Sequence, residues 1–269
     1  MSAAEKVQYG QRMLFEVEAV LYEHRTDKAH IKYVKTTHHG NVLFMDDEVQ
    51  LSTHDEHRYH EKLVHPVMKY ILTKSNILIL GGGDGCAARE VYKWDNVESV
   101  TVVDYDGEFV KKYGQGILAD VNHSSLLSSR TKYVNQDAIE FLQEAKTKYD
   151  VVFIDFPDPD GPEMVSLYER AIRLLPNVIH PYSAVSMHIG PAIIGKRDDT
   201  FKNILIDTFK NSSRIVINEG TCYVPSFSNE WAFLYLVQTQ YIRCAKKVEL
   251  ECKYWRDSND GGTVPADIA

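Results

Sequence analysis

Cysteine is scarce in this chain. There are four in 269 residues, Cys86, Cys222, Cys244 and Cys252, and none form a C-x-x-C pair. That spacing argues against a zinc clip or a thioredoxin-like couple and suits a reducing compartment. Positive charge is in deficit too, with 30 Lys and Arg against 38 Asp and Glu and a net charge of −8. Nucleic acid rewards basic faces, so the balance speaks against that partner and admits a cationic one. No apolar run approaches a membrane span, and MSAAEKVQYGQRM carries charges where a secretory leader needs an apolar core. The expectation is a cytoplasmic protein with neither nucleic-acid nor membrane partners. No G-x-S-x-G elbow supports an acyl-transfer serine, and no Walker lysine follows the glycine cluster described below.

What is present is strand-like and then alternating. Residues 15–51 (FEVEAVLYE, then HIKYVKTTHHGNVLFMDDEVQL) alternate apolar and polar between turn signals at Asp27, His39-Gly40-Asn41 and Asp46-Asp47, which predicts a small antiparallel sheet. Tyr59, Leu63, Val67 and Ile71 stand four apart in 55–71, predicting a helix that Pro66 kinks. From Asn76, apolar runs at 76–80, 99–103, 131–135, 150–154 and 183–187 alternate with amphipathic segments near 86–93, 107–114, 137–147, 164–176 and 198–211. This rhythm predicts an α/β fold, a mostly parallel sheet covered on both faces. Two further runs, 214–218 and 232–238, flank NEGTCYVPSFSNE, which has little helical pattern, so those two strands are expected to pair antiparallel. The expected division is a β domain at 1–54, a linking helix at 55–75, a Rossmann-like catalytic domain at 76–257 and a frayed tail at 258–269.

The strand NILIL runs directly into Gly81-Gly82-Gly83-Asp84-Gly85 and then a helix. Such a loop exposes backbone amides to a ligand at the carboxyl edge of a sheet. A dinucleotide fits poorly. Its third fingerprint glycine is replaced by Cys86, and Asp84 would stand beside a pyrophosphate as a like charge. A positively charged adenosine sulfonium has the opposite preference. Asp104 ends the second strand of this unit roughly 20 residues on, the spacing of a ribose-binding acid. Asp137 follows the third strand and could accept from an adenine amine. Helix capping competes for both.

The fourth strand ends in DFPDPDGPE (155–163), where Asp155 and Asp158 stand three apart in a proline-stiffened loop. Turn formation, a divalent metal and amine binding compete as readings. In the third, the carboxylates orient alkylammonium groups and one takes a proton from an attacking amine. His54, His57, His60 and His65 invite a metal, but after His60-Glu61 the next histidine is five residues on, where H-E-x-x-H needs four.

These stretches resemble the spermidine/spermine/thermospermine synthases, the polyamine aminopropyltransferases. The resemblance runs from about Phe15 to Val237 through VLFMDDEVQLSTHDEHRYHEKLVHP (42–66), ILILGGGDGCAAREV (77–91), VVDYD, QDAIEFL (136–142), DFPDPDGP (155–162) and VPSFSNEW (224–231). It implies an N-terminal β domain on a methyltransferase-like Rossmann domain, a homodimer or homotetramer, and decarboxylated S-adenosylmethionine as co-substrate, with no cofactor and no metal. On the donor side it implies Gln50, His60, Gly81, Gly83, Asp84, Gly85, Asp104, Asp137 and Ala138. Within that set, Asp84 holds the aminopropyl ammonium, Asp104 the ribose and Asp137 the adenine amine. It implies Asp155 as base, assisted by Asp158 and Tyr59, and an amine acceptor bound by Asp158, Phe227 and Trp231. Cys86, Phe156-Pro157 and Phe227 depart from the usual pattern. Phe227 stands where a tyrosine hydroxyl is common, which favours an acceptor longer than putrescine. Rival readings are an S-adenosylmethionine-dependent amine N-methyltransferase on the same scaffold and a non-catalytic polyamine- or nucleoside-binding protein.

Overall fold

The computed structural model describes residues 2–4, 13–192, 199–211, 215–238 and 250–255; the expected tail lies outside them. The alternating N-terminal segment folds into a sheet whose strands lie in chain order, β1 (Ser2–Ala4), β2 (Leu14–Arg25), β3 (His30–Thr36), β4 (Asn41–Met45) and β5 (Glu48–Ser52). All its pairings are antiparallel. Alternation divides β4: Val42 and Phe44 pack with Phe15 and Val34, while Leu43 faces the opposite way and joins the main core.

Helix α1 (Glu56–Met68) follows and passes through Pro66. Proline has no N–H for the carbonyl of Lys62, four residues back. The Tyr235 hydroxyl donates to that carbonyl instead (2.9 Å), so the helix runs on to its last turn with the acceptor satisfied.

The alternating region forms β6 (Asn76–Gly81), α2 (Cys86–Val91), β7 (Ser99–Asp104), α3 (Gly107–Phe109), β8 (Thr131–Asn135), α4 (Ala138–Glu144), β9 (Tyr149–Asp155), α5 (Pro162–Leu174), β10 (Ile179–Pro191), α6 (Thr200–Thr208), β11 (Ile215–Val224) and β12 (Asn229–Gln238). The segment expected as a helix at 107–114 is one α turn continued by a π-helix, Val110–Ile117. The stretch NEGTCYV, which shows little helical pattern, lies wholly in β11; the hairpin turns at Pro225–Phe227, and β11 and β12 pair antiparallel as expected.

Sheet order is β11-β12-β10-β9-β6-β7-β8, with β12 antiparallel to both neighbours and the rest parallel. Ile77 and Ile79 of β6 pack into the core that holds α1 and α2, whereas Leu78 and Leu80 pack into the core that holds α4, α5 and α6. A strand buried on both faces must read as a continuous apolar run, as NILIL does. From β6 the chain builds outward through β7 and β8 on one side, then crosses to β9 and β10 on the other. The crevice at that reversal is where open α/β sheets bind ligands. Gly81 and Asp155 are register partners there.

Candidate active site

A cavity of about 290 Å³ opens over the carboxyl ends of β6, β7 and β9. Its wall gathers Tyr59, His60, Gln50, Gly81, Gly83, Asp84, Asp104, Asp137, Ala138, Asp155, Asp158, Phe227 and Trp231, so nearly all the residues singled out in the sequence meet in one place. Gly85 is the exception. It precedes α2 at φ +83°, and its missing Cβ leaves room for Asn122, Ser125 and Leu126 behind the loop rather than for a ligand in front of it.

Close approach explains the first glycine. A Cβ on Gly81, which has φ +81°, would lie 2.1 Å from the carbonyl oxygen of Asp155. A Cβ on Gly83 would lie 2.5 Å from Asp104 Oδ2, the oxygen that instead accepts the Gly83 N–H (3.2 Å). Loop and acids are therefore built against each other. Asn122 Nδ2 braces the loop from behind by donating to the carbonyls of Asp84 and Gly114.

The competing capping role separates the two donor-side acids. Asp106, not Asp104, caps α3 by accepting from Phe109 N–H. Asp104 accepts from the amides of Gly83 and Asp106 and keeps its place in the cavity wall. Asp137 does cap α4: its Oδ1 accepts from Ile139 and Glu140 N–H, while the residue also lines the cavity.

Three of these acids have shifted proton affinities, for physical reasons. Burial raises Asp155 to about 6, and neighbouring Asp84 adds to that effect, against the pull of His60 and a hydrogen bond from the Tyr59 hydroxyl to Oδ1 (2.7 Å). Burial likewise raises Asp104 to about 6, with its two backbone amides opposing. Asp84 goes the other way. Its burial is outweighed by His60 and by the Cys86 N–H (2.6 Å), which hold it below the ordinary carboxylate value. Two carboxylates whose environments push their affinities apart are suited to different tasks. Asp84 is a standing anion, whereas Asp155 gains or loses a proton near neutral pH. Asp158 is half-buried in the cavity lining, and Asp160 is exposed outside it.

His60 carries the link between the site and the helix layer. Burial opposes a charge on it, but Asp84 and Glu56 outweigh that and raise its affinity well above the usual histidine range. Its Nδ1 reaches Glu56 Oε2 (2.8 Å), and its Nε2 faces Asp84 Oδ2 at 3.8 Å. Glu56 is in turn gripped by both terminal nitrogens of Arg89 (2.8 and 2.9 Å). His60, Asp84 and Asp155 bring their ligand atoms close together, and with His60 protonated they form an ion-paired cluster. The histidines around it do not converge. His54 is exposed, and His65 is buried elsewhere against Glu90 (2.9 Å) and Trp94 (3.0 Å).

Sequence reasoning passed over His188, which is 1% exposed beside Asp155. The available signal was its position at the carboxyl end of the run SAVSM, level with the other strand-end residues. Phe227 and Trp231 form an aromatic wall, their rings 4.9 Å apart, and Tyr59 meets Phe227 edge-on at 6.2 Å.

Comparison with known proteins bears on this geometry. Residues 56–247 match the family model for a spermine/spermidine synthase domain, and residues 3–53 match that for a spermidine synthase tetramerisation domain. A polyamine aminopropyltransferase of Saccharolobus solfataricus is 34% identical over 227 residues, covering 81% of this chain and 72% of the relative. One from Oceanobacillus iheyensis is 33% identical over 234 residues, 84% of this chain, and the chain spans only 44% of that relative's length. The fold is also that of a spermidine synthase crystallised with the transition-state analogue AdoDATO, at TM-score 0.79 and 21% identity, covering 96% of this chain and 89% of the other.

Proposed function

The chain belongs to the spermine/spermidine synthase family, and from that premise we propose that it transfers the aminopropyl group of decarboxylated S-adenosylmethionine to a di- or polyamine, releasing methylthioadenosine. The observation that carries this reading is the convergence of Asp84, Asp104, Asp155 and Asp158 on one cavity, which suits two cationic substrates. In it, Asp84 receives the donor's ammonium and Asp104 the ribose hydroxyls. The acceptor nitrogen, freed of its proton, attacks the carbon next to sulfur. A C–N bond forms as the C–S bond breaks, and the sulfonium leaves as a neutral thioether. The attacking nitrogen passes its proton to Asp155, whose poise near 6 suits a base working at neutral pH. Holding both reactants in line supplies the rest.

An intact donor would set its carboxylate against Asp84 and Asp155, which favours the decarboxylated form over methyl transfer. Phe227 and Trp231 give the acceptor end an apolar wall without a phenolic hydroxyl. A hydroxyl's hydrogen bond to the amine exchanged for methylene contact favours a longer amine, so we assign a spermidine-sized acceptor and a spermine or thermospermine product. Mass spectrometry of reactions with decarboxylated donor and putrescine, agmatine, cadaverine or spermidine tests both levels. Extended amine with equimolar methylthioadenosine is the expected result, fastest with spermidine. Methyl transfer from intact donor without aminopropyl transfer would overturn the reading, and faster turnover of putrescine would overturn the acceptor assignment.

We also read the N-terminal sheet as a self-association surface and the reducing cytoplasm as the setting. Val20, Leu21 and Tyr22 of β2 are 38–50% exposed side by side, in the region matched to the tetramerisation model. Among the described residues no helix is long and apolar enough to cross a membrane, and Cys86 is a buried free thiol. Light scattering should report an oligomer that Leu21→Glu with Val20→Lys reduces to a smaller species. An unchanged mass would remove this face from the assembly.

A further inference from the structure

His188 sits in β10 one residue beyond Met187, the register partner of Ile154, and so stands level with Asp155. The ladder with β12 shifts register immediately after it, and Gly190 adopts φ +82°. The strand is bent away there, leaving the imidazole turned into the protein at the site. Its hydrogen bonds are specific. Trp231 Nε1–H donates to Nδ1 (3.3 Å), which puts the ring proton on Nε2, and Nε2–H donates to the carbonyl of Phe156 (2.6 Å). The Tyr168 hydroxyl lies 2.6 Å from the same nitrogen and donates to the carbonyl of Pro157 (3.2 Å). Phe156 and Pro157 are the two residues that separate Asp155 from Asp158. The ring also packs edge-on against Tyr59 at 5.6 Å, the residue whose hydroxyl holds Asp155.

We propose that His188 is the positioning residue of the acceptor half of the site, a neutral imidazole that ties the Trp231 wall to the Phe156–Pro157 backbone and thereby sets where Asp155 and Asp158 meet the acceptor amine. The inference rests on the aminopropyl-transfer reading and extends it. One ring joins three parts of the cavity that arrive from distant points in the chain: the acidic loop after β9, the aromatic wall of β12 and Tyr59 of α1. Burial lowers the affinity of His188 for a second proton to about 4, so the ring keeps one donor and one acceptor at neutral pH, the pair this linkage requires. The nucleoside half of the cavity, at Asp104 and Asp137, has no bond to it.

The test compares His188→Leu, which keeps bulk but no polar atoms, with His188→Gln, which keeps an amide donor and a carbonyl acceptor. Wild-type turnover is measured first. A wild type inactive with every amine would overturn the enzymatic reading and this inference with it. With active wild type, His188→Leu should lower kcat on the order of 100-fold, the penalty of a displacement of about 1 Å, and raise the amine KM. Methylthioadenosine affinity by calorimetry should stay within about threefold. His188→Gln should recover most of both losses. In the His188→Leu background, Trp231→Phe should add little, because the bond it removes is already gone. Activity of His188→Leu near wild type would overturn the inference alone. So would loss of nucleoside binding in both variants, which would mark a core residue, or full additivity with Trp231→Phe.

Discussion

Asp155→Asn should abolish most turnover, by about 10³-fold, while methylthioadenosine affinity stays within about tenfold. The amide still accepts the Tyr59 hydroxyl through Oδ1, so the cavity keeps its shape, but it has no lone pair basic enough to take the amine's proton. Stability should move the other way. Burial raises the Asp155 carboxyl from 3.8 to about 6 in the folded protein, which therefore binds this proton more tightly than the unfolded chain does. That preference favours folding at low pH and is lost as pH rises from about 4 through about 6, leaving a cost at neutral pH. Full conversion of the shift gives about 3 kcal/mol, and residual solvent access reduces it, so the asparagine variant should gain about 1–3 kcal/mol at pH 7. Denaturant melts of both forms at pH 4 and pH 7 check the sign: the gain should shrink at the lower pH. Wild-type kcat/KM for the amine at saturating donor should fall on the acid side of about pH 6 or lower, since the bound sulfonium favours the carboxylate. Surviving turnover in the variant would remove Asp155 from the role of base.

Arg89→Met should cost about 3–5 kcal/mol of stability, the penalty for leaving buried carboxylates without their cation. Arg89 holds Glu56 in a two-pronged grip, reaches Glu90 through Nε (2.8 Å) and donates to the carbonyl of Val121 (2.7 Å), with all three side chains buried. Burial alone would raise Glu56, yet His60 and Arg89 bring it from 4.5 to about 2. A depressed carboxylate stabilises the fold above its unfolded value and loses that contribution as pH falls from about 4.5 toward 2, a swing of about 3 kcal/mol. The variant should therefore be less stable than wild type at pH 7 and show a shallower loss between about pH 4.5 and 2. Because Glu56 orients His60, and His60 faces Asp84, which receives the donor's ammonium, affinity for the decarboxylated donor should weaken in parallel. Unchanged stability in denaturant melts would mean that His60 alone satisfies Glu56.

Much of this was legible before any coordinate. Apolar runs of five residues bounded by turn signals are local features, and a strand buried on both faces has few other ways to be written. The glycine loop and the acids at 104 and 155 share one property, position at a strand's carboxyl end, and a parallel sheet brings all such ends to one edge. Other features were not legible. The helix at 107–114 widens into a π-helix from Val110, and the helix expected to run through Pro66 has its open acceptor satisfied by Tyr235, 173 residues beyond Lys62.

From the sequence alone came the fold class, the crevice at the sheet's reversal and the acidic character of what lines it, since each follows from periodicity, strand ends and charge. Tertiary structure alone decided which acid is a standing anion and which a poised base. Asp84, in the loop after β6, and Asp155, at the end of β9, are the same residue type facing one cavity, and burial and spatial partners give them opposite affinities. It also set Gly85 behind the loop, paired Arg89 with Glu56, and brought His188 against Phe156 and Trp231. Proton affinity and hydrogen-bond geometry depend on neighbours in space, and those neighbours lie as far as 96 residues away in the chain, as Tyr59 does from Asp155.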